Sequence, residues 1–197
     1  MKWELKQLGE ICEISRGGSP RPIKEFITED SDGINWIKIG DTKDINKYIY
    51  RTKEKIKPEG VKYSREVKEG DFILSNSMSF GKPYIMKTSG CIHDGWLLLR
   101  RKDNSISEDY LYTVLSSDFI YKFFQKETIG GVVENLNIEL VKKVRIPVPP
   151  LNIQMDVSEK LDTAIFEKEE LERKAELVLR NAKKDIELIL LGEDDEI

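Results

Sequence analysis

Two loops hold the side chains best suited to chemistry. The first, Ser15-Arg16-Gly17-Gly18-Ser19-Pro20-Arg21-Pro22, sets two arginines and two hydroxyls around a glycine pair. Glycine permits positive φ and close backbone approach, while the prolines remove amide donors, so this segment must be a loop. Its chemistry suits an anion, phosphate above all. It is not a nucleotide-binding loop, because no Gly-Lys-Ser/Thr follows and the prolines bar the helix such loops open. The second, Ser75-Asn76-Ser77-Met-Ser79-Phe-Gly-Lys82-Pro83, is polar and carries a glycine and a lysine.

Reactive chemistry has little to work with. The single imidazole, His93, stands beside Asp94, with Cys91 and several serines nearby in sequence. In a strand, neighbours point to opposite faces, so His93 and Asp94 would not form a dyad. There is no nucleophile elbow, no helix with paired histidines and no Cys/His cluster for zinc. These observations predict no catalytic residue, no metal and no cofactor, and a chain that binds without performing a reaction. Cys12 and Cys91 lie far apart and are expected as buried, reduced thiols in a cytoplasmic protein. Met1-Lys-Trp-Glu is not a cationic and apolar leader, and no apolar run is long enough to span a membrane.

The charge is unevenly divided. The 197 residues carry a formal net charge of −4. Residues 151–197 hold 7 basic and 14 acidic side chains, so the remainder is net positive. Within it, residues 38–68 hold 10 basic against 5 acidic. Such asymmetry points to a cationic surface on the first part of the chain.

Around the loops lies a pattern of short strands. Trp3 to Glu13 alternates imperfectly. Ile34 to Ile39 alternates with β-branched content, setting Ile37 and Ile39 opposite Trp36 and Lys38 so that one face is core. Residues 43–68 read as basic and irregular. Glu69-Gly70-Asp71 turns into a strand at Phe72–Leu74; Tyr84–Lys87 and Cys91–Leu99 read as further strands, and Trp36 and Trp96 as core. Strands at about ten-residue spacing suggest a compact, mainly antiparallel sheet. Ser107 caps a helix through Leu115, Ser117 one to about Lys126, broken by Gly130-Gly131, and Asn137 one over Ile138–Lys143. Val144–Val148 reads as a terminal strand.

The longest element follows Pro147-Val-Pro-Pro150. About forty residues without glycine or proline end at Leu191-Gly192, as helix boundaries require. At ~1.5 Å per residue such a helix is roughly 60 Å long. Val157, Leu161, Ala164, Lys168, Leu171, Ala175, Val178 and Ala182 step by four and three, a period that asks for a partner helix. Only Lys168 interrupts the seam. A second row, with Ile165, Leu179, Ile186, Ile189 and Leu190, widens the stripe. No earlier helix matches its length, so an antiparallel partner from another chain is expected. The expected organisation is a globular domain over 1–149, a spacer or dimerisation helix over 150–191 and an acidic tail over 192–197. The fold class is α+β: a mainly antiparallel β domain with a few short helices, then one long coiled-coil or bundle helix.

The ordered segments resemble one family. Leu8-Gly9-Glu10-Ile11 through Arg16-Gly17-Gly18-Ser19-Pro20 resembles the opening of the target-recognition domain in specificity subunits of type I restriction-modification systems. Asn35-Trp36-Ile37-Lys38-Ile39-Gly40-Asp41 resembles its next block, and Gly70-Asp71 through Ser79-Phe80-Gly81-Lys82 the third. Gly130-Gly131 to Leu136-Asn137, then Ile146 to Leu151 and Gln154, resembles the closing block before the spacer helix. Each motif is loose, but their order and spacing are specific.

The resemblance implies a non-catalytic DNA-binding subunit that reads double-stranded DNA for partner enzymes: methyltransferase subunits that methylate adenine, and an ATP-driven restriction subunit. Family members normally hold two recognition domains and two spacer helices; here there is one of each. Pairing of two copies through Val157, Leu161, Ala164, Leu171, Ala175, Val178, Ala182, Ile186 and Ile189 would supply the other half and imply a bipartite, palindromic target. Arg16, Gly17, Gly18, Ser19, Arg21, Lys24 and Lys82 are the expected contacts to phosphates or guanine edges. Ser75, Asn76, Ser77 and Ser79 suit base edges or phosphates, and Lys38, Lys43 and Lys47 extend the positive face. Arg100-Arg101 and Lys142-Lys143 are weaker candidates. The competing reading is a scaffold whose helix drives assembly and whose globular part binds protein.

Overall fold

The computed structural model describes residues 2–43, 45–76, 81–129 and 136–192. Ser77, Ser79 and the segment 130–135, with its predicted glycine break, lie outside them. The chain divides into two compact units, Met1–Met155 and Asp156–Ile197.

The first unit opens with β1 (Leu5–Gln7), a single helical turn α1 (Leu8–Ile11) and β2 (Cys12–Arg16). The turn breaks the alternation expected over Trp3–Glu13. Glu10 makes it possible by reaching back to accept from the Gln7 amide at 2.5 Å. Next come β3 (Ile27–Thr28) and β4 (Ile34–Ile37), and a 3-10 turn at Ile39–Thr42 ends the latter early. Residues 43–68, expected to be irregular, contain β5 (Tyr48–Ile49), β6 (Glu54–Ile56), a 3-10 segment and β7 (Arg65–Val67). Strands of two or three residues are too short to show a period in sequence. Then follow β8 (Phe72–Ser75), β9 (Pro83–Met86), β10 (Gly90–Ile92) and β11 (Trp96–Arg101). The single strand expected from Cys91 to Leu99 is thus two strands, and His93, Asp94 and Gly95 make the turn between them.

The strands form two five-stranded sheets, ordered β3-β6-β4-β10-β7 and β2-β11-β8-β9-β5. Most pairs are antiparallel, but β4 with β10 and β5 with β9 run parallel. β8 and β9 are buried at every residue. That explains the near-continuous apolar runs, since a sheet covered on both faces has no side for polar alternation. One face, with Phe72, Leu74, Leu97 and Leu99, packs under the helices; the other, with Ile73, Trp96 and Leu98, meets Ile37 and Ile92 of the second sheet. Trp96 Nε1 donates to Ile37 O at 3.2 Å, tying the two sheets together. Trp36, Ile56 and Cys91 form a smaller outer cluster. Both faces of β4 are therefore core, where one was expected. Trp36 and Trp96 are buried, as expected.

The helices are α2 (Glu108–Leu115), α3 (Asp118–Ile129) and α4 (Ile138–Lys143). Ser107 accepts from the Tyr110 amide and Asn137 from the Leu140 amide, the caps read in the sequence. The helix α3 runs a turn beyond its expected end. The last strand, β12 (Arg145–Pro147), pairs antiparallel with β1. α5 then runs unbroken from Leu151 to Leu191. Gln154 anchors its first turns: its side chain is fully buried, accepting from Ser107 N at 2.8 Å and donating to Ser105 O and Pro149 O.

In the second unit, every described residue from Leu171 onward except Leu188 is exposed. Lys168 pairs with Glu172 and Arg173 with Glu170 along the helix, weak pairs on an exposed surface. No helix among the described residues is long and apolar enough to cross a membrane. Cys12 and Cys91 are buried free thiols, and burial pushes their pKa values up to about 12 and about 11.

Candidate nucleic-acid interface

Strand register gathers the polar loops at one rim. Arg16, at the end of β2, lies opposite Leu97, and Ser75, at the end of β8, lies opposite Trp96. β4 and β10 end side by side at Ile37 and Ile92. The loops leaving these strands therefore meet at the His93-Asp94-Gly95 turn.

That turn is the hub. Gly95 N donates to His93 Nδ1 at 2.8 Å, and a Cβ on Gly95 would sit 2.3 Å from the imidazole. Asp94 collects the rest. Its backbone oxygen accepts from Arg16 Nε at 3.1 Å and from Asn76 Nδ2 at 3.0 Å. Its carboxylate accepts from Ser19 Oγ at 2.6 Å and lies 3.7 Å from the Arg21 guanidinium. The Ser19 hydrogen bond leads in holding this carboxyl below the usual range.

His93 is held as a structural ring. Its Nε2 faces the Ile39 amide at 3.2 Å while Nδ1 faces that of Gly95. A neutral ring can accept from one of these amides, whereas an imidazolium donates at both nitrogens and accepts from neither. Burial pushes its pKa down, in agreement. His93 and Asp94, expected on opposite faces of a strand, instead lie 3.7 Å apart because both belong to a turn.

Several expected contact residues are spent on the fold. The Gly17 amide donates to Trp96 O at 2.9 Å and the Gly18 amide to Ile92 O at 3.1 Å. A Cβ at Gly17 would lie 2.0 Å from His93 O, and one at Gly18 2.7 Å from Tyr63 O. The glycines serve close packing, and their amides are not turned toward an anion. Ser75 and Asn76 are buried rather than presented to bases. Ser75 Oγ accepts from the Lys82 amide at 3.1 Å, and Asn76 braces the turn. Lys47 is mostly covered, paired with Asp109 at 2.9 Å and set over the rings of Tyr48 and Tyr112. Arg100 is bound to Asp71, and Arg101 to Ile106 O and Glu108.

Other cations face outward. Lys24 and Lys43 are exposed and make no ion pair among the described residues. Lys82 is exposed, its ammonium 5.2 Å from the Tyr84 ring centroid and 3.4 Å from Ile45 O. Arg21 is 82% exposed at its side chain, and Lys38 pairs with Glu54. Between the loops opens a cleft of about 670 Å³, walled by Pro20, Ile23, Trp36 and Ile39, with Arg21, Lys38 and Asp94 among its polar lining.

Sequence reasoning missed Asp94, weighing it only as a neighbour of His93. The Asp94-Gly95 pair between two apolar runs is a turn signal that could have exposed it. No group of three or more His, Cys, Asp or Glu suited to a metal occurs among the described residues.

The model of the type I restriction modification DNA specificity domain matches residues 1–179. The specificity subunit of the type I restriction enzyme MjaVIII from Methanocaldococcus jannaschii is 26% identical over 96% of this chain, which spans 45% of that subunit. Among solved structures, the HsdS subunit from Thermoanaerobacter tengcongensis superposes with a TM-score of 0.66 at 20% identity, covering 87% of this chain and 39% of its own. The S subunit from M. genitalium gives 0.57 at 17% identity, covering 91% of this chain and 44% of its own. These two show a shared fold, and this chain spans less than half of each relative. With the domain model matching most of its residues, the chain belongs to the family of type I restriction-modification DNA specificity domains.

Proposed function

We propose that this chain reads duplex DNA for a type I restriction-modification complex, directing methyltransferase and restriction subunits to a bipartite target without performing a reaction itself. The carrying observation is the DNA specificity domain match over residues 1–179. The rim around Asp94 is the reading face. Arg16, Arg21, Lys24, Lys43 and Lys82 supply phosphate and base-edge contacts there, with Lys38 behind them. Ser19 takes part through Asp94.

The long helix pairs with a second copy of the chain, setting two identical readers over inverted half-sites. Its apolar rows support this: Leu171, Val178, Ile186 and Ile189 are each more than half exposed, and Val157, Ala164, Ala175 and Ala182 are exposed beside them. Leu161 is half-buried.

Filter binding of genomic fragments, with the cognate methyltransferase subunit present, tests the DNA reading. Affinity should fall steeply with salt, because each neutralised phosphate releases counterions. Binding that stays flat with salt would remove the rim assignment. Assembly through the helix with no DNA binding would favour a protein scaffold instead. Methylome mapping should return an interrupted palindrome; two unlike half-sites from this chain alone would overturn the paired arrangement.

A further inference from the structure

We infer that Asp94 reads a base: its carboxylate accepts a hydrogen bond from the exocyclic amino group of a cytosine or an adenine in the major groove. The inference rests on the rim being the DNA face and names the group that supplies specificity there.

Geometry leaves this carboxylate both aimed and available. Oδ1 is fixed by Ser19 Oγ at 2.6 Å, while the nearest cation to Oδ2 is Arg21 at 3.7 Å, beyond hydrogen-bond reach. A carboxylate has about four acceptor sites, more than the Ser19 bond uses. The side chain is 47% exposed and lines the cleft. Its backbone is immobilised by Arg16 and Asn76 on one side and by the Gly95–His93 contact on the other. A reading group needs that rigidity, since a loose acceptor could follow the wrong base.

Charge sharpens the case. A carboxylate facing phosphates is repelled, so an anion on a cationic rim opposes non-specific binding. The Ser19 hydrogen bond nevertheless holds its carboxyl below the usual range. A group that only accepts selects for donors, and the major groove offers two kinds, cytosine N4 and adenine N6. Guanine and thymine present acceptors there, which an ionised Asp94 rejects. The neighbouring Arg21 and Arg16 suit acceptors, giving adjacent readers of opposite preference.

The test compares wild type with Asp94→Asn and Asp94→Glu in the full chain with its methyltransferase subunit. Asparagine keeps the shape and still accepts from Ser19, but adds amide donors; glutamate keeps the charge and displaces it by a methylene. Asp94→Glu should relax one base-pair position in each half-site, and Asp94→Asn should relax the same position unless the base is adenine, which asparagine can read at N6 and N7. Binding to the wild-type target should fall roughly tenfold or more, whereas Asp94→Asn should hold or gain affinity for unrelated duplex. If both folded variants keep the wild-type methylation motif, Asp94 does not read a base, though the rim still can. A uniform loss across all sequences would make it a brace alone. Failure of the wild-type complex to bind any duplex would overturn the rim reading and this inference with it.

Discussion

Arg100 grips the carboxylate of Asp71 with two bonds, Nε to Oδ1 at 2.8 Å and a terminal nitrogen to Oδ2 at 2.5 Å. Asp71 is only 2% exposed and also accepts from the Lys68 amide, closing the turn into β8. Arg100 is thus the counter-ion of a buried carboxylate. Removing one partner of such a pair leaves the other charge uncompensated. Arg100→Ala should cost about 3 kcal/mol or more in urea unfolding, far beyond an exposed arginine. A change within ~0.5 kcal/mol would mean that Asp71 finds water or another donor.

The start of α5 depends on Gln154. Gln154→Leu would leave the Ser107 amide and the Ser105 and Pro149 carbonyls without these bonds. Of these only the Pro149 carbonyl lies in a buried bond, and a buried group stranded this way costs about 1–3 kcal/mol. Lower thermal stability, with faster amide exchange at Ser107, is the expected result; unchanged protection there would refute the anchor.

Gly17 and Gly40 both lie near the rim but have different surroundings. A methyl on Gly17 collides with the His93 carbonyl at 2.0 Å, while one on Gly40 meets nothing within 4 Å. Gly17→Ala should displace the Arg16–Arg21 loop, lowering both melting temperature and DNA affinity. Gly40→Ala should leave stability within about 0.5 kcal/mol of wild type. Equal behaviour of the two, measured by melting and filter binding, would contradict the packing described.

His93 has a lowered pKa in the folded chain. The unfolded chain takes up the proton near the ordinary value of 6.5, the folded one only at lower pH. Stability is therefore whole above 6.5 and is lost as pH falls from there through the folded value. Melting temperature should decline as pH falls below about 6.5, and His93→Gln should flatten that decline. An unaltered slope in the variant would place the titration elsewhere.

The proposed DNA-binding and pairing roles fall on different residues, the outward charges and the apolar helix. Lys24→Glu with Lys82→Glu should weaken duplex binding and lower the salt slope by about one for each phosphate no longer neutralised, while assembly state stays unchanged. Leu171→Glu with Val178→Glu, at positions 65% and 69% exposed, should instead abolish pairing in sedimentation and spare the fold of Met1–Met155. Cross-over of these effects would argue against separate reading and pairing surfaces.

The sequence alone determined what depends on neighbours along the chain. The bounds of α5 follow from Pro150 and Gly192, the helix caps from Ser107 and Asn137, and the buried strands from runs such as Phe72-Ile-Leu. The family, too, was readable from the order of loose motifs. Tertiary structure decided which polar residues are available. Ser75, Asn76 and Lys47 looked as free as Lys24 and Lys43, yet they are enclosed or paired. Their partners are chosen by strand register. Asp94 meets Asn76, Ser19 and Arg16 across separations of 18, 75 and 78 residues. A hydrogen bond needs both groups within about 3 Å, and only the assembled sheets bring such distant positions to that distance.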